Sequence, residues 1–173
     1  MRKPSRSSIN RRDLLILDTG PIRELVAFHA VEELGFHKLR NHLRFFLDGE
    51  AYERCTDFVG SFRRKITSAS VVAELHSWIR ETDSDGRIEL WKRVYDEFRN
   101  MGMDEDVVKL VDMDMRMVAN YGPVDTSILE IAKRNSGVDP LVLTIDDKLA
   151  VACKRALITA LNLNEIIYSV MGR

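Results

Sequence analysis

The sequence predicts an α/β fold in which a parallel sheet is covered by helices on both faces. Three observations predict it. Leu14–Leu17 and Leu141–Ile145 are short runs with little polar alternation, the pattern of strands buried on both sides. Stretches with helical spacing separate the strand-like runs, and no hairpin signal joins any two of them. Each of the two runs ends directly on an aspartate, Asp18 or Asp146, and a helix start follows. In open α/β sheets, ligands bind outside the carboxyl ends of the strands. These acids therefore stand where chemistry is expected.

The length of 173 residues and the hydrophobic share of 45% suit one domain with a substantial core. We expect one folded unit over residues 13–173 behind a flexible basic arm over residues 1–12. No apolar run is long enough to cross a bilayer, and the basic N-terminus lacks the apolar core of a secretory signal. A cytoplasmic protein without a membrane partner is the expectation. Cys55 and Cys153 show no metal-ligand spacing, and a disulfide is not expected inside a cell.

The net charge of −1 is unevenly placed. Arg2, Lys3, Arg6, Arg11 and Arg12 fall in the arm, which leaves 21 basic residues against 27 acids in the body. If metal tied up four of those acids, the body would be close to neutral. The arm is either solvated or a contact for phosphate backbone.

The elements follow in order. Leu14–Asp18 is the first strand, and Gly20-Pro21 turns into a short helix, since proline suits the first helical position. Pro21–Phe28 is that helix, and a longer one is expected over Val31–Leu47. Residues 50–65 hold another helical piece. Ile66–Ala69 is the second strand, with Ser68 and Ser70 as capping residues for a helix carrying Val71, Glu74, Leu75 and Trp78. Residues 82–86 are a loop, and Ile88, Trp91, Val94, Tyr95 and Phe98 mark an amphipathic helix. Met101–Asp106 reads as a loop and Val107–Val111 as the third strand. A helix is expected over Asp112–Tyr121, and Gly122-Pro123 begins another. Leu141–Ile145 is the fourth strand, Asp146–Arg155 a helix, Leu157–Leu161 a fifth strand and Glu165–Val170 a closing helix.

Asp18, Glu74, Asp125 and Asp146 are expected in equivalent places, each at a strand end or in a first helical turn. Taken singly, such acids are favoured by the helix dipole, by about 0.3–1 kcal/mol. Taken together at one sheet edge they repel, by about 4 kcal/mol for a pair 4 Å apart at an effective dielectric of 20. First-turn dipoles do not offset several such pairs. A hard divalent cation with oxygen ligands does, which points to Mg²⁺ or Mn²⁺. The alternatives are that the acids point apart or that one is protonated.

Four segments carry a resemblance. They are Leu-Asp-Thr-Gly-Pro at 17–21, Ser-Ala-Ser-Val-Val-Ala-Glu-Leu at 68–75, Pro-Val-Asp-Thr-Ser-Ile-Leu at 123–129 and Leu-Thr-Ile-Asp-Asp-Lys-Leu at 143–149. In this order and spacing the chain from Leu14 onward resembles PIN-domain metal-dependent ribonucleases, and most closely VapC-type toxins. The stretch from about Phe28 to Lys65 is longer than in such toxins. The resemblance implies a three-layer α/β/α fold with a five-stranded parallel sheet in order 3-2-1-4-5. It implies a ribonuclease using one or two Mg²⁺ or Mn²⁺ ions on Asp18, Glu74, Asp125 and Asp146. It also implies a toxin held by a small antitoxin protein, commonly a homodimer, with RNA as substrate. A housekeeping nuclease of RNA processing and an inactive binding module are the alternatives.

Such chemistry needs no histidine base, because a divalent ion activates water and neutralises phosphate charge. Thr19 and Thr144 have hydroxyls near the expected site, to orient water or carboxylates or simply to end a strand. The fourth segment offers Asp146 and Asp147 side by side. Residues in a helix rotate by about 100° each, so both cannot aim at one point. The Thr-x-Asp-x-x-Leu spacing selects Asp146, with Asp147 as an alternative or as a partner to a water on the ion.

His29, His37, His42 and His76 are scattered and are not read as ligands. Met113, Met115 and Met117 fill core gaps or line a partner groove. Arg63-Arg64-Lys65 is expected to be a solvated run at the sheet edge opposite the acids.

Overall fold

The computed structural model describes residues 13–35, 47–80 and 87–168. The arm over 1–12, residues 36–46 of the long insert, the loop at 81–86 and the last five residues lie outside the described residues.

Five strands form one parallel sheet in the order β3-β2-β1-β4-β5, as the sequence predicts. The strands are β1 (Leu14–Leu17), β2 (Arg64–Ser68), β3 (Met103–Asp106), β4 (Leu141–Thr144) and β5 (Thr159–Asn162). The helices are α1 (Thr19–Leu34), α2 (Gly49–Gly60), α3 (Ala69–Arg80), α4 (Arg87–Met101), α5 (Met115–Arg134), α6 (Asp147–Arg155) and α7 (Leu163–Tyr168). No helix among the described residues is long and apolar enough to cross a membrane.

β1 is the centre of the molecule. It pairs with β2 on one side and β4 on the other, and all four of its residues are wholly buried. Burying a leucine or isoleucine stabilises by roughly 1.5–3 kcal/mol, so these strands anchor the register. Ile22, Leu25 and Val26 of α1, Ile128 and Leu129 of α5, and Leu149 of α6 pack into the same core.

Several elements depart from expectation, each for a visible reason. The third strand is Met103–Asp106, and the apolar Val107–Val111 segment is not a strand. β3 pairs with β2 alone and lies at the sheet edge, so it can be acidic. Val107, Leu110 and Val111 are exposed, and Leu110–Asp112 forms a short 3₁₀ turn. One helix, α1, replaces the expected pair over its described length. Nothing breaks it at Phe28, and it ends where Gly35 adopts φ 71°. β2 begins at Arg64 rather than Ile66, so Lys65 is a strand residue and is buried. Leu157 turns at φ 59° and is almost fully exposed, which delays β5 to Thr159. α7 begins at Leu163, earlier than expected. Gly122 breaks α5 with φ 85° and ψ 168°, and a second helical arm starts at Pro123, as Gly-Pro predicts.

Candidate functional site

The pairing of β1 with β4 brings two acids together. The Asp18 backbone N–H donates to the Leu143 carbonyl at 3.1 Å, which carries the β1–β4 pairing to the strand ends. Asp18 is the N-cap of α1, and its Oδ1 accepts the Thr19 N–H at 2.7 Å. Asp146 is the N-cap of α6, and its Oδ1 accepts the Lys148 N–H at 2.6 Å. Thr144 links them: its hydroxyl donates to Asp18 Oδ2 at 2.7 Å and accepts the Asp146 N–H at 2.9 Å. Gly20 allows the close approach. A Cβ there would run into the Ile145 side chain that follows β4.

Glu74 arrives from α3. It stands in the second turn rather than the first, and the Thr19 hydroxyl donates to its Oε2. The α3 start is fixed by Ser68, whose Oγ accepts the Val71 N–H at 3.1 Å. Ser127 donates to the same Ser68 Oγ at 2.7 Å and ties α5 to the end of β2. Asp125 lies on that second arm of α5, three residues past the Gly122 break.

The carboxylates act on one another. Asp18 is 6% exposed. Burial pushes its pKa up to about 6; the Thr144 and Thr19 hydrogen bonds oppose the rise, while Glu74 and Asp146 add to it. Asp125 is pushed up to about 7, by burial first and then by Asp18, Asp146 and Glu74, with Lys148 opposing. Cys153 is buried within the field of Asp125 and Asp18. Burial, then Asp125 and Asp18, drive its thiol up to about 12, so it is no nucleophile.

Asp147 is turned elsewhere. It is exposed, and its Oδ1 accepts from Asn162 Nδ2 at 3.0 Å, at the end of β5. The histidines stand apart: His29 Nε2 lies 2.6 Å from the Tyr52 hydroxyl and 3.2 Å from Glu97, and the His76 ring lies 5.7 Å from that of Trp91. His37 and His42 lie outside the described residues. Met113 is buried, whereas Met115 is exposed.

The donor set fits a hard divalent cation. It consists of carboxylates and hydroxyls, and burial first, then neighbouring carboxylates, raise the pKa of two of the acids. Among the described residues, no three acidic, histidine or cysteine side chains are gathered tightly enough to hold a metal ion as they stand. Of the four, Asp125 is half-buried and Glu74 is exposed. The sequence did not single out Ser68–Ser127 as a strut or Lys148 as the cation nearest Asp125. Ser127 falls two residues after Asp125, and Lys148 two after Asp146, which was the available signal.

A parallel 3-2-1-4-5 sheet with acids at its carboxyl edge defines the class, and solved structures carry the comparison further. No family model matches the chain, and no curated protein matches it. The chain is similar to a PilT N-terminus domain protein from the hyperthermophilic archaeon Sulfolobus solfataricus P2. The TM-score is 0.50 at 9% identity, over 92% of this chain and 95% of that one. It is also similar to a domain of a functionally unknown protein from Methanocaldococcus jannaschii DSM 2661, with TM-score 0.48 and 14% identity over 87% and 90% of the two chains. Only the first likeness bears weight, and at its identity it establishes the fold: this chain has the fold of a PilT N-terminus, or PIN, domain.

Proposed function

We propose that the chain is a metal-dependent endoribonuclease, hydrolysing RNA phosphodiester bonds with one or two Mg²⁺ or Mn²⁺ ions. The observation that carries this reading is the burial of Asp18 among three further carboxylates, offset among the described residues by hydroxyls, backbone N–H groups and one lysine. Asp18, Glu74, Asp125 and Asp146 would hold the metal. When bound, the ion supplies charge neutralisation at the phosphate and activation of water. Thr144 orients Asp18, and Thr19 orients Glu74. Lys148, exposed at the first turn of α6, meets an incoming phosphate beside Asp125.

Within this reading the protein is the toxin of a toxin–antitoxin pair, a homodimer restrained by a small antitoxin. The four-segment resemblance to VapC-type toxins supports it. Purified protein should cleave RNA with Mn²⁺ or Mg²⁺ and not without either. No cleavage under any condition overturns the nuclease reading, and cleavage indifferent to both ions overturns its metal dependence. Growth arrest on expression in a host lacking any antitoxin supports the toxin role; normal growth alongside metal-dependent cleavage points instead to RNA processing.

A further inference from the structure

A second polar site lies where β2 and β3 begin, at the end of the sheet away from the acids. It is a cavity of about 450 Å³ whose lining includes His29, Tyr52, Lys65, Glu97 and Asn100. Four elements build it: α1, α2, β2 and α4. That volume falls in the range of small-ligand sites, which run from roughly 300 to 1,000 Å³.

Two charges face this cavity and only one of them is answered. Glu97 is buried, and His29 Nε2 stands 3.2 Å from its Oε1. The Tyr52 hydroxyl bonds the same pair. Lys65 is 9% exposed, and among the described residues no side chain or carbonyl accepts from its ammonium. The Lys65 ammonium is not sealed from solvent, so it is open to an anion that enters the cavity.

We propose that this cavity binds a small organic oxyanion, with Lys65 as the cation that holds its head. The head is a phosphate or a carboxylate, since either presents the acceptor oxygens an ammonium needs. The cavity is several times larger than such a head, so the remainder of the ligand lies against Tyr52 and Met101. Asn100 is exposed at the rim and offers a second donor. Glu97 on the same wall repels a second negative charge, so a head of low charge is preferred.

The test uses metal-free full-length protein and follows its melting temperature at fixed ionic strength in chloride, inorganic phosphate or acetate. A ligand that binds only the folded state raises the midpoint with concentration, and fixed ionic strength removes general screening. Phosphate or acetate should raise the midpoint by a few degrees over chloride, and whichever acts at the lower concentration identifies the head. Lys65→Gln should lose the gain and Lys65→Arg should keep it. Arg63→Gln, on the neighbouring exposed cation, should keep it too. Asn100→Asp places a carboxylate at the rim and should weaken the apparent affinity several-fold. That position is exposed, so this variant carries the test if Lys65→Gln fails to fold. A wild-type midpoint equal in all three salts overturns the proposal. So does a Lys65→Gln protein that retains the gain, an Arg63→Gln protein that loses it, or an Asn100→Asp protein with unchanged affinity.

Discussion

Helix α1 has a buried carboxylate near each of its ends. Asp18 caps its start, and Glu97 of α4 lies against His29 toward its finish. Burial raises the pKa of both. The surroundings then diverge. Around Asp18 the neighbouring charges are negative, from Glu74 and Asp146, and only hydrogen bonds oppose the rise. Around Glu97 the largest opposing influence is His29, followed by the Tyr52 hydrogen bond. A fold able to match a buried acid with a base at one end leaves four acids unmatched at the other. The difference teaches that unmatched charge is a property of the carboxyl edge, which is what the proposed cation would answer there.

Catalysis should separate the two ends most sharply. Asp18→Asn and Asp125→Asn should each lower metal-dependent RNA cleavage by about a hundredfold or more while preserving the circular dichroism spectrum. His29→Ala and His76→Ala, assayed below their melting temperatures, should cleave within about twofold of wild type. A large loss from either histidine variant would remove the carboxylates from the centre of the reaction.

Stability against pH comes next. The native pKa of Asp18, about 6, exceeds the ordinary aspartate value of 3.8. The native state therefore retains a proton that the unfolded chain has released. The resulting stability is complete below pH 4 and is lost as pH rises toward 6; Asp125 extends the loss toward 7. The Asp18 share is on the order of 2–3 kcal/mol. Urea titrations of metal-free protein should show this decline, and saturating Mn²⁺ should flatten it. Asp18→Asn should be the more stable protein at pH 7.5 without metal and gain less from Mn²⁺, whereas Glu97→Gln should leave most of the slope in place.

The closeness of the acid edge rests on Gly20. Gly20→Ala drives a methyl group into Ile145 and should cost about 1–3 kcal/mol in urea denaturation. Ile145→Ala in the same chain should recover part of that loss. Full stability in Gly20→Ala would mean that the start of α1 can shift away from β4.

The smallest effect distinguishes neighbours. At saturating Mn²⁺, Asp146→Asn should reduce cleavage more than Asp147→Asn does. Asp147 is engaged with Asn162 at the end of β5, and Asp146 shares Thr144 with Asp18. The reverse order in initial rates would mean that α6 begins in a different register.

Particular residues explain what the sequence disclosed. Leu14–Leu17 and Leu141–Thr144 are buried on both faces, so hydrophobicity alone marks them. Asp18 and Asp146 follow those strands directly, and Gly122-Pro123 announces the helical arm that carries Asp125. Glu74 was legible as a residue but not in its placement, because its reach back to Thr19 depends on how α3 packs against α1. β3 was not legible. An edge strand needs no apolar run, and the more apolar Val107–Val111 drew the assignment away from it. Lys65 was read with the exposed Arg63 and Arg64, since a charged run gives no sign that its last member enters a strand.

The acidity of β3 also sets a limit on growth. An edge strand offers unpaired backbone groups to any incoming strand, and Asp104 and Glu105 stand exposed on this one. A second copy laid against it would set like charges opposite each other, which weakens strand pairing. The outer edge at β5 reads Thr-Ala-Leu-Asn and carries no charge. Of the two rims through which copies could add strand to strand, one is closed to its own kind. Two copies meeting β3 to β3 are therefore held apart by their own charge, and the β5 rim carries no such barrier.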